Sequence, residues 1–369
     1  MTLRLTAFAR YDRLAASTRQ RLLQYVPALE QAGVDVDYRP LLGDDYVASI
    51  AGGRRYAPTR IGQDYLRRLR EIALGPLGDA VWVYAELFPH LPAAFERMLI
   101  ARRRPIVVDF DDAFFHAYDY HRSPLVRAML GGKLEPLLRA ASACTCGNAY
   151  LRDYAAQYCA NSIIVPTTVD TDRYVPAAGE RVAPPVIGWI GSPSTWQYMH
   201  PLLPILEEMV LARRARVLIV GAGAGGHSRD TSALEFVDWS EASEVAEIQR
   251  MDIGIMPLPD DPWARGKSGY KLIQYMACGL PVVASPVGVN REIVQDGVSG
   301  LLASSHSEWR DALDRLLADS GTRARMGAEG RRRAVADYSL QAHAPRVVEV
   351  IRSAAGSRPM PVAHASKSR

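Results

Sequence analysis

The sequence runs one grammar twice. Short apolar stretches alternate with amphipathic helical ones as far as Val165, a segment rich in Pro, Thr, Asp, Gly and Ala follows from Pro166 to Pro185, and the alternation then restarts. This alternation marks parallel strands joined by helical crossovers. It predicts an α/β architecture of two domains, each on a mostly parallel sheet. A length of 369 residues suffices for two cores, and 48% hydrophobic with 23% charged residues is ordinary globular composition.

In the first half, strands are expected at Leu3–Phe8, Val34–Tyr38, Ala80–Tyr84, Pro105–Asp109, Ala143–Cys146 and Ser162–Val165. Ser17 or Thr18 caps a helix running through Leu29 and ended by Gly33, and Asn148 caps another. Residues 43–60 read as a loop, followed by a basic helix with Arg67, Arg68 and Arg70, and further helices cover 92–102 and 123–142. The second half predicts strands at Val186–Ile190, Arg216–Val220, Ile253–Met256 and Pro281–Ala284, with helices over 199–212 and 269–278. The resulting division is 1–168, a linker 169–185, 186–340, a helix 341–353 crossing back to the N-terminal domain, and a disordered tail 354–369.

A net charge of +4 is too small for a dedicated polyanion binder, so nucleic acid is not an expected partner. Cys144-Thr-Cys146 is too tight for a zinc pair, and with Cys159 and Cys278 it fits reduced, packed thiols. No run approaches the ~18–20 apolar residues of a membrane span. Met1–Tyr11 lacks the apolar core of a signal peptide. The expected location is cytoplasmic, with any bilayer contact peripheral and at the inner face of the cell membrane.

Three constellations carry chemistry. Gly221-Ala-Gly-Ala-Gly-Gly226, with Asp238 beyond it, has the spacing of a dinucleotide fingerprint, but His227–Ser232 offers no apolar helical stripe. It reads as a loop at a strand end. Asp109-Phe-Asp111-Asp112 closes a strand, where a carboxylate pair either holds a divalent metal, fixes the loop, or acts without metal. The last of these is preferred, with His116 on the same loop. The third is Arg265-Gly-Lys267-Ser-Gly269-Tyr-Lys271-Leu-Ile-Gln274. Ser268 and Gly269 open a helix whose amides favour an anion, and Lys267 and Lys271 stand at that end. Either lysine alone fits a solvated helix start, whereas the set fits a diphosphate.

Met276-Ala-Cys-Gly279-Leu-Pro-Val-Val283 continues into Gly288, Glu292, Asp296-Gly297 and Gly300-Leu301, and is preceded by Ile187-Gly-Trp-Ile-Gly191-Ser192 and Val169-Asp170. These residues resemble the donor-binding segment of retaining glycosyltransferase family 4, strongly over 160–300 and only topologically before that. The Gly-Lys-x-Gly-x-Lys start resembles a subset of that family. The resemblance implies the GT-B fold, two Rossmann-like domains with parallel sheets facing across a cleft. It implies an N-terminal acceptor domain and a C-terminal nucleotide-sugar domain. The implied activity is a hexosyltransferase that moves a sugar, with retention and without metal or cofactor, from a nucleotide-diphosphate sugar to a glycan or lipid-linked acceptor, in cell-surface polysaccharide or glycoconjugate synthesis.

On this reading Gly191, Ser192, Lys267, Ser268, Gly269, Lys271 and Gln274 bind the donor, and Lys271 also neutralises the departing diphosphate. Asp111 and Asp112 orient the sugar or the acceptor hydroxyl, and Arg19, Arg21 and His116 meet the acceptor. The family's two glutamates, eight positions apart, are absent: Gly266 and Gln274 stand in their places, and Asp111 replaces the usual histidine. Gln274 still reaches a ribose hydroxyl, since its amide both donates and accepts; Gly266 reaches nothing. Arg67, Arg68, Arg70 and Arg102–Arg104, with Trp82, Phe88, Phe114 and Phe115, suit an anionic acceptor at a membrane, although most of them singly fit solvated faces and core. The main alternative is a catalytically inactive nucleotide-sugar or glycan-binding GT-B subunit. A nicotinamide oxidoreductase and a nucleotide-sugar epimerase are further rivals.

Overall fold

The computed structural model describes residues 2–179, 183–223 and 234–356. They form two compact units, the first from residues 2–47, 56–166 and 344–356, the second from 48–55 and the described part of 167–343. The first unit holds strands β1 (Leu3–Tyr11), β2 (Val34–Leu42), β3 (Ala80–Tyr84), β4 (Ile106–Phe110), β5 (Ala143–Cys146) and β6 (Ser162–Ile164). They pair in parallel in the order β2-β1-β3-β4-β5-β6. The second holds β7 (Val186–Ile190), β8 (Arg216–Val220), β9 (Glu235–Val237), β10 (Ile253–Met256), β11 (Val282–Ala284) and β12 (Gly300–Leu302), also parallel, in the order β12-β11-β10-β7-β8-β9. Chain order therefore reverses direction between β1 and β3 in one sheet and between β7 and β10 in the other. Such switch points are where open α/β sheets bind ligands, beyond the carboxyl ends of the strands.

In the second unit the two-residue period of a strand sorts side chains onto two faces. Ile187, Trp189, Val217, Ile219, Ile253, Ile255 and Val283 pack with Leu206, Met209, Leu313 and Leu316 of the helices Leu203–Leu211 and His306–Ala318. Val186, Ile190, Leu218, Val220, Val282 and Ala284 pack with Leu272, Met276, Ala334 and Tyr338 of the helices Tyr270–Ala277 and Ser320–Tyr338. Burial on both faces explains why these strands read as unbroken apolar runs.

Several expectations need correction. Asp44–Ala51 is a helix, its first turn carrying Asp44 and Asp45 at the favourable end of the dipole, where a loop was expected. The stretch 123–142 is two helices, Pro124–Leu130 and Glu135–Ala140, separated at Gly131-Gly132. Strands β9 and β12, three residues each, are too short to announce themselves. The last helix, Leu340–Gly356, buries Val347, Ile351 and Ala354, and Arg352 donates to Ala32 O at 2.8 Å inside the first unit. Among the described residues no helix is long and apolar enough to cross a membrane.

The first unit is pinned by a buried ion pair. Arg21, 1% exposed, donates from Nε and Nη2 to Asp109 at 3.0 and 2.5 Å and from Nη1 to Val165 O at 2.7 Å; Thr145 Oγ1 donates to the same carboxylate at 2.5 Å. One arginine thus ties the helix Ala16–Arg21 to β4 and to the residue after β6. Removing one partner of such a pair strands the other charge. Arg21→Met is expected to lower the unfolding free energy of the first unit by about 3–5 kcal/mol, read from urea denaturation. A loss below about 1 kcal/mol, the range of exposed pairs, would contradict this role.

Candidate functional site

Beyond Gly254 the ladder between β7 and β10 stops, because their registered pairs are Ile253–Ile187 and Gly254–Gly188. Buried Tyr275 fills the fork. Its hydroxyl accepts from Ile190 N at 2.9 Å and donates to Ile255 O at 3.4 Å. The ring lies so close to Gly254 that a β-carbon there would sit 2.3 Å away. Past this fork β7 delivers Gly191-Ser192, and Ser192 and Thr195 form a capping box on the short helix Pro193–Trp196. A β-carbon on Gly191 would come within 2.3 Å of the Trp189 ring, so glycine is required there.

The helix Tyr270–Ala277 starts one residue later than the sequence suggests. Gly269 is its N-cap at φ +67°, a left-handed backbone that strains any other residue, and a β-carbon on it would also push on the end of the Ile293 side chain, 2.2 Å from its Cδ1. Lys271 places Nζ 5.6 Å from the centroid of the Trp189 ring, which brings it to the end of β7, and Lys267 Nζ lies 5.5 Å from the Trp263 ring. Ser268 is half-buried and Ser192 exposed. The structure thus gathers Gly191, Ser192 and Lys271 at the switch point, with Lys267, Ser268 and Gly269 leading into the same helix. Gly221 and Gly223 follow β8 with φ of +81° and +67°; residues 224–226 of the glycine-rich motif lie outside the described residues.

Gln274 is 3% exposed and donates from Nε2 to Tyr174 Oη at 3.1 Å. Tyr174 in turn donates to Glu244, and Trp239 Nε1 donates to the other oxygen of Glu244 at 2.7 Å. Sequence reading missed Tyr174, Glu244, Trp239, Tyr275 and Trp189 as functional candidates. Trp189 and Trp239 stand at or just beyond a strand end, where an aromatic is indistinguishable from core in a single sequence, whereas Tyr174 in the linker and Glu244 and Tyr275 in helices carry no local signal.

In the first unit, Asp111 lies one residue past β4, 8% exposed, and accepts from Tyr84 Oη at 2.8 Å. Asp112 beside it is half-buried. His116 donates from Nδ1 to Asp119 at 2.8 Å, and its Nε2 is 2.7 Å from Tyr150 Oη. Arg19 and Arg21 do not stand on a solvated helix face. Arg19 is 9% exposed and donates to Arg13 O and Leu14 O, and Arg21 is committed to Asp109. Arg68 is wholly buried, bonded to Ala9 O and Arg39 O, while Trp82, Phe88, Phe114 and Phe115 are core. Arginine's several donors let it close off buried carbonyls, so a basic sequence stretch need not be a basic surface.

Burial, then the charge of Asp112, pushes the Asp111 carboxyl from 3.8 up to about 7. Between these two values the folded protein keeps a proton that the unfolded chain has released. Folding stability therefore falls as pH rises through that window and levels off above it. Asp111→Asn keeps an acceptor for Tyr84 and removes the titration. It is expected to raise Tm more at pH 8 than at pH 5, and an equal effect at both would contradict the shift.

The family described as Glycosyl transferases group 1 matches residues 184–319, the stretch that holds β7 to β12 and the helix Tyr270–Ala277. D-inositol 3-phosphate glycosyltransferase from Xylanimonas cellulosilytica is 28% identical over 233 residues, 53% of this chain and 52% of that protein. The chain spans about half the length of the curated relatives it matches. Among solved structures, sucrose-phosphate synthase from Thermosynechococcus elongatus superposes with a TM-score of 0.73 at 16% identity, covering 95% of this chain and 98% of the other. HepE from Anabaena, in complex with UDP and glucose, superposes with a TM-score of 0.66 at 13% identity, over 95% and 100% of the two chains. At such identities the likeness is one of fold. The chain has the GT-B fold, and its residues 184–319 match the glycosyl transferases group 1 family.

Proposed function

We propose that this protein is a glycosyltransferase that moves a sugar, with retention, from a nucleotide-diphosphate sugar to a glycan or lipid-linked acceptor in cell-surface polysaccharide or glycoconjugate synthesis. The observation that carries the reading is the meeting of Lys271 with the end of β7, where Gly191-Ser192 and the helix opening at Gly269 converge on the switch point. Departure of a diphosphate builds negative charge. Lys267, Lys271 and the amino end of the helix Tyr270–Ala277 are the groups suited to receive it. Removing one well-placed donor to developing charge typically costs ~2.7–4 kcal/mol. The UDP in the HepE complex makes UDP the first nucleotide to try.

Metal independence is supported by the carboxylates of the first unit. Asp109 is spent on Arg21 and Thr145, and Asp111, its carboxyl pushed up to about 7, is only about half ionised at pH 7, which weakens it as a cation ligand. A carboxyl poised near 7 suits a group that both accepts from and donates to an acceptor hydroxyl. We assign that role to Asp111, with Asp112 and His116 beside it. Arg19 and Arg21 act at most through the loop they hold. The helix Pro58–Ala73 exposes Leu66 beside Arg67 and Arg70, with Leu74 84% exposed just beyond it, a mixture that supports peripheral contact with an anionic membrane face. The absence of a carboxylate at Gly266 and Gln274 favours the second reading, a nucleotide-sugar-binding subunit without turnover.

A thermal-shift panel with UDP, GDP, ADP, dTDP and NAD, each with and without EDTA, tests this function. A ligand at 100 times its Kd adds ~2.7 kcal/mol of stability. A shift with one nucleoside diphosphate that survives EDTA is the expected result. A shift with NAD alone would overturn it, and a diphosphate shift lost in EDTA would return Asp111 to metal binding. Sugar transfer separates enzyme from binding subunit. Lys271→Ala is expected to weaken that nucleoside diphosphate at least tenfold, ~1.4 kcal/mol; unchanged affinity with intact fold would remove Lys271 from the site.

A further inference from the structure

Counting protons along the chain Glu244–Tyr174–Gln274 fixes the orientation of Gln274. Trp239 Nε1 is a donor only, and it points at Oε2 of Glu244 at 2.7 Å. Oε1 of the same carboxylate takes the hydroxyl proton of Tyr174. Burial, and after it the Glu244 charge, push the Tyr174 phenol above its ordinary value, so that proton stays. A phenol has one proton, so Tyr174 can only accept from its other neighbours. Gln274 must therefore present its NH2, which lies 3.1 Å away, and the Tyr270 hydroxyl stands 3.5 Å from the same oxygen. All three members of the chain are at least nine-tenths buried, at 3% for Tyr174, 5% for Glu244 and 3% for Gln274, where unmatched donors and acceptors are costly.

An ionised carboxylate at 274 would have no proton to offer Tyr174 and would compete with Glu244 for its single one. The amide at 274 is thus the matched partner of Glu244, not a degraded version of a carboxylate. We propose that Glu244 and Tyr174 are positioning residues of the donor site: through a one-way chain of hydrogen bonds they lock the amide of Gln274 in a single flip, which fixes where its carbonyl oxygen and second N–H meet the ribose hydroxyls of a nucleoside diphosphate. This rests on the donor-site reading above and adds two residues to it, contributed by the linker and by the helix Glu244–Gln249.

The test is a mutant cycle read two ways. E244Q reverses the direction of the chain while removing no heavy atom. The NH2 at 244 then faces Tyr174, whose proton turns toward position 274 and flips its amide. The expected result is a fall of about tenfold in affinity for the nucleoside diphosphate that binds wild type, by titration calorimetry with UDP, GDP, ADP and dTDP, with Tm nearly unchanged. Q274E is expected to lower both Tm and affinity, because two carboxylates then contest one proton. The double variant E244Q/Q274E restores a consistent chain running the other way, and it is expected to recover Tm and bring affinity to within threefold of wild type. Y174F, which breaks the chain, is expected to match E244Q in affinity.

Wild-type affinity in both E244Q and Y174F would overturn the positioning role. A double variant no better in Tm than Q274E would overturn the chain itself. If wild type binds none of the four nucleotides, the donor-site reading and the positioning role fall together, while the Tm cycle in the absence of ligand still decides whether the proton chain exists.

Discussion

Where two parallel strands part, their backbone groups lose partners, and the second unit depends on how that loss is met. At the fork between β7 and β10, Ile190 N–H and Ile255 C=O face each other with no strand between them, and the Tyr275 phenol answers both. A buried amide left without a partner costs more than an ordinary hydrogen bond returns, so the fork stays open only because an aromatic of this length fills it. Much follows from that placement. Gly254 has to be glycine to admit the ring, and the helix carrying Tyr275 is held against the sheet, which brings Lys271 at its start to Trp189. The site geometry is thereby set by a residue that need touch no ligand.

The first unit solves a related problem with charge. Arg21, Arg68 and Lys133 are buried, and each satisfies several acceptors: Arg21 with Asp109 and Val165, Arg68 with Ala9, Arg39 and Glu71, Lys133 with Glu96 and the carbonyl of Phe88. These cations satisfy carbonyls within strands, at Ala9 and Arg39, and just beyond them, at Val165 and Phe88. They are internal staples, and the basic character of the N-terminal half is correspondingly weaker on its surface than the composition implies.

This marks the boundary of what the sequence made legible. Periodicity exposed the strands that are buried on both faces, and the break at Pro166–Pro185 exposed the two-part division, because both follow from local pattern. The segment from Lys267 to Gly279 was legible because a glycine cap, paired cations and a following buried strand coincide over a dozen residues. Long-range pairing was not. Nothing near Arg21 in sequence announces Asp109, 88 positions away, and nothing near Gln274 announces Tyr174, 100 positions away. Read alone, Gln274 is a missing carboxylate; set against Tyr174 and Glu244, it is the group the local proton count requires.

The first unit is also discontinuous along the chain. Residues 344–356 belong to it, and Val347 and Ile351 are buried at its surface with Arg352 bonded to Ala32. During synthesis the six strands of this unit leave the ribosome first, yet the helix that finishes its covering emerges only after the entire second unit. The earlier half must wait, partly clothed, for the later half to be made. Order of birth and order of completion are inverted, and neither unit can be separated from the other by a single cut in the chain.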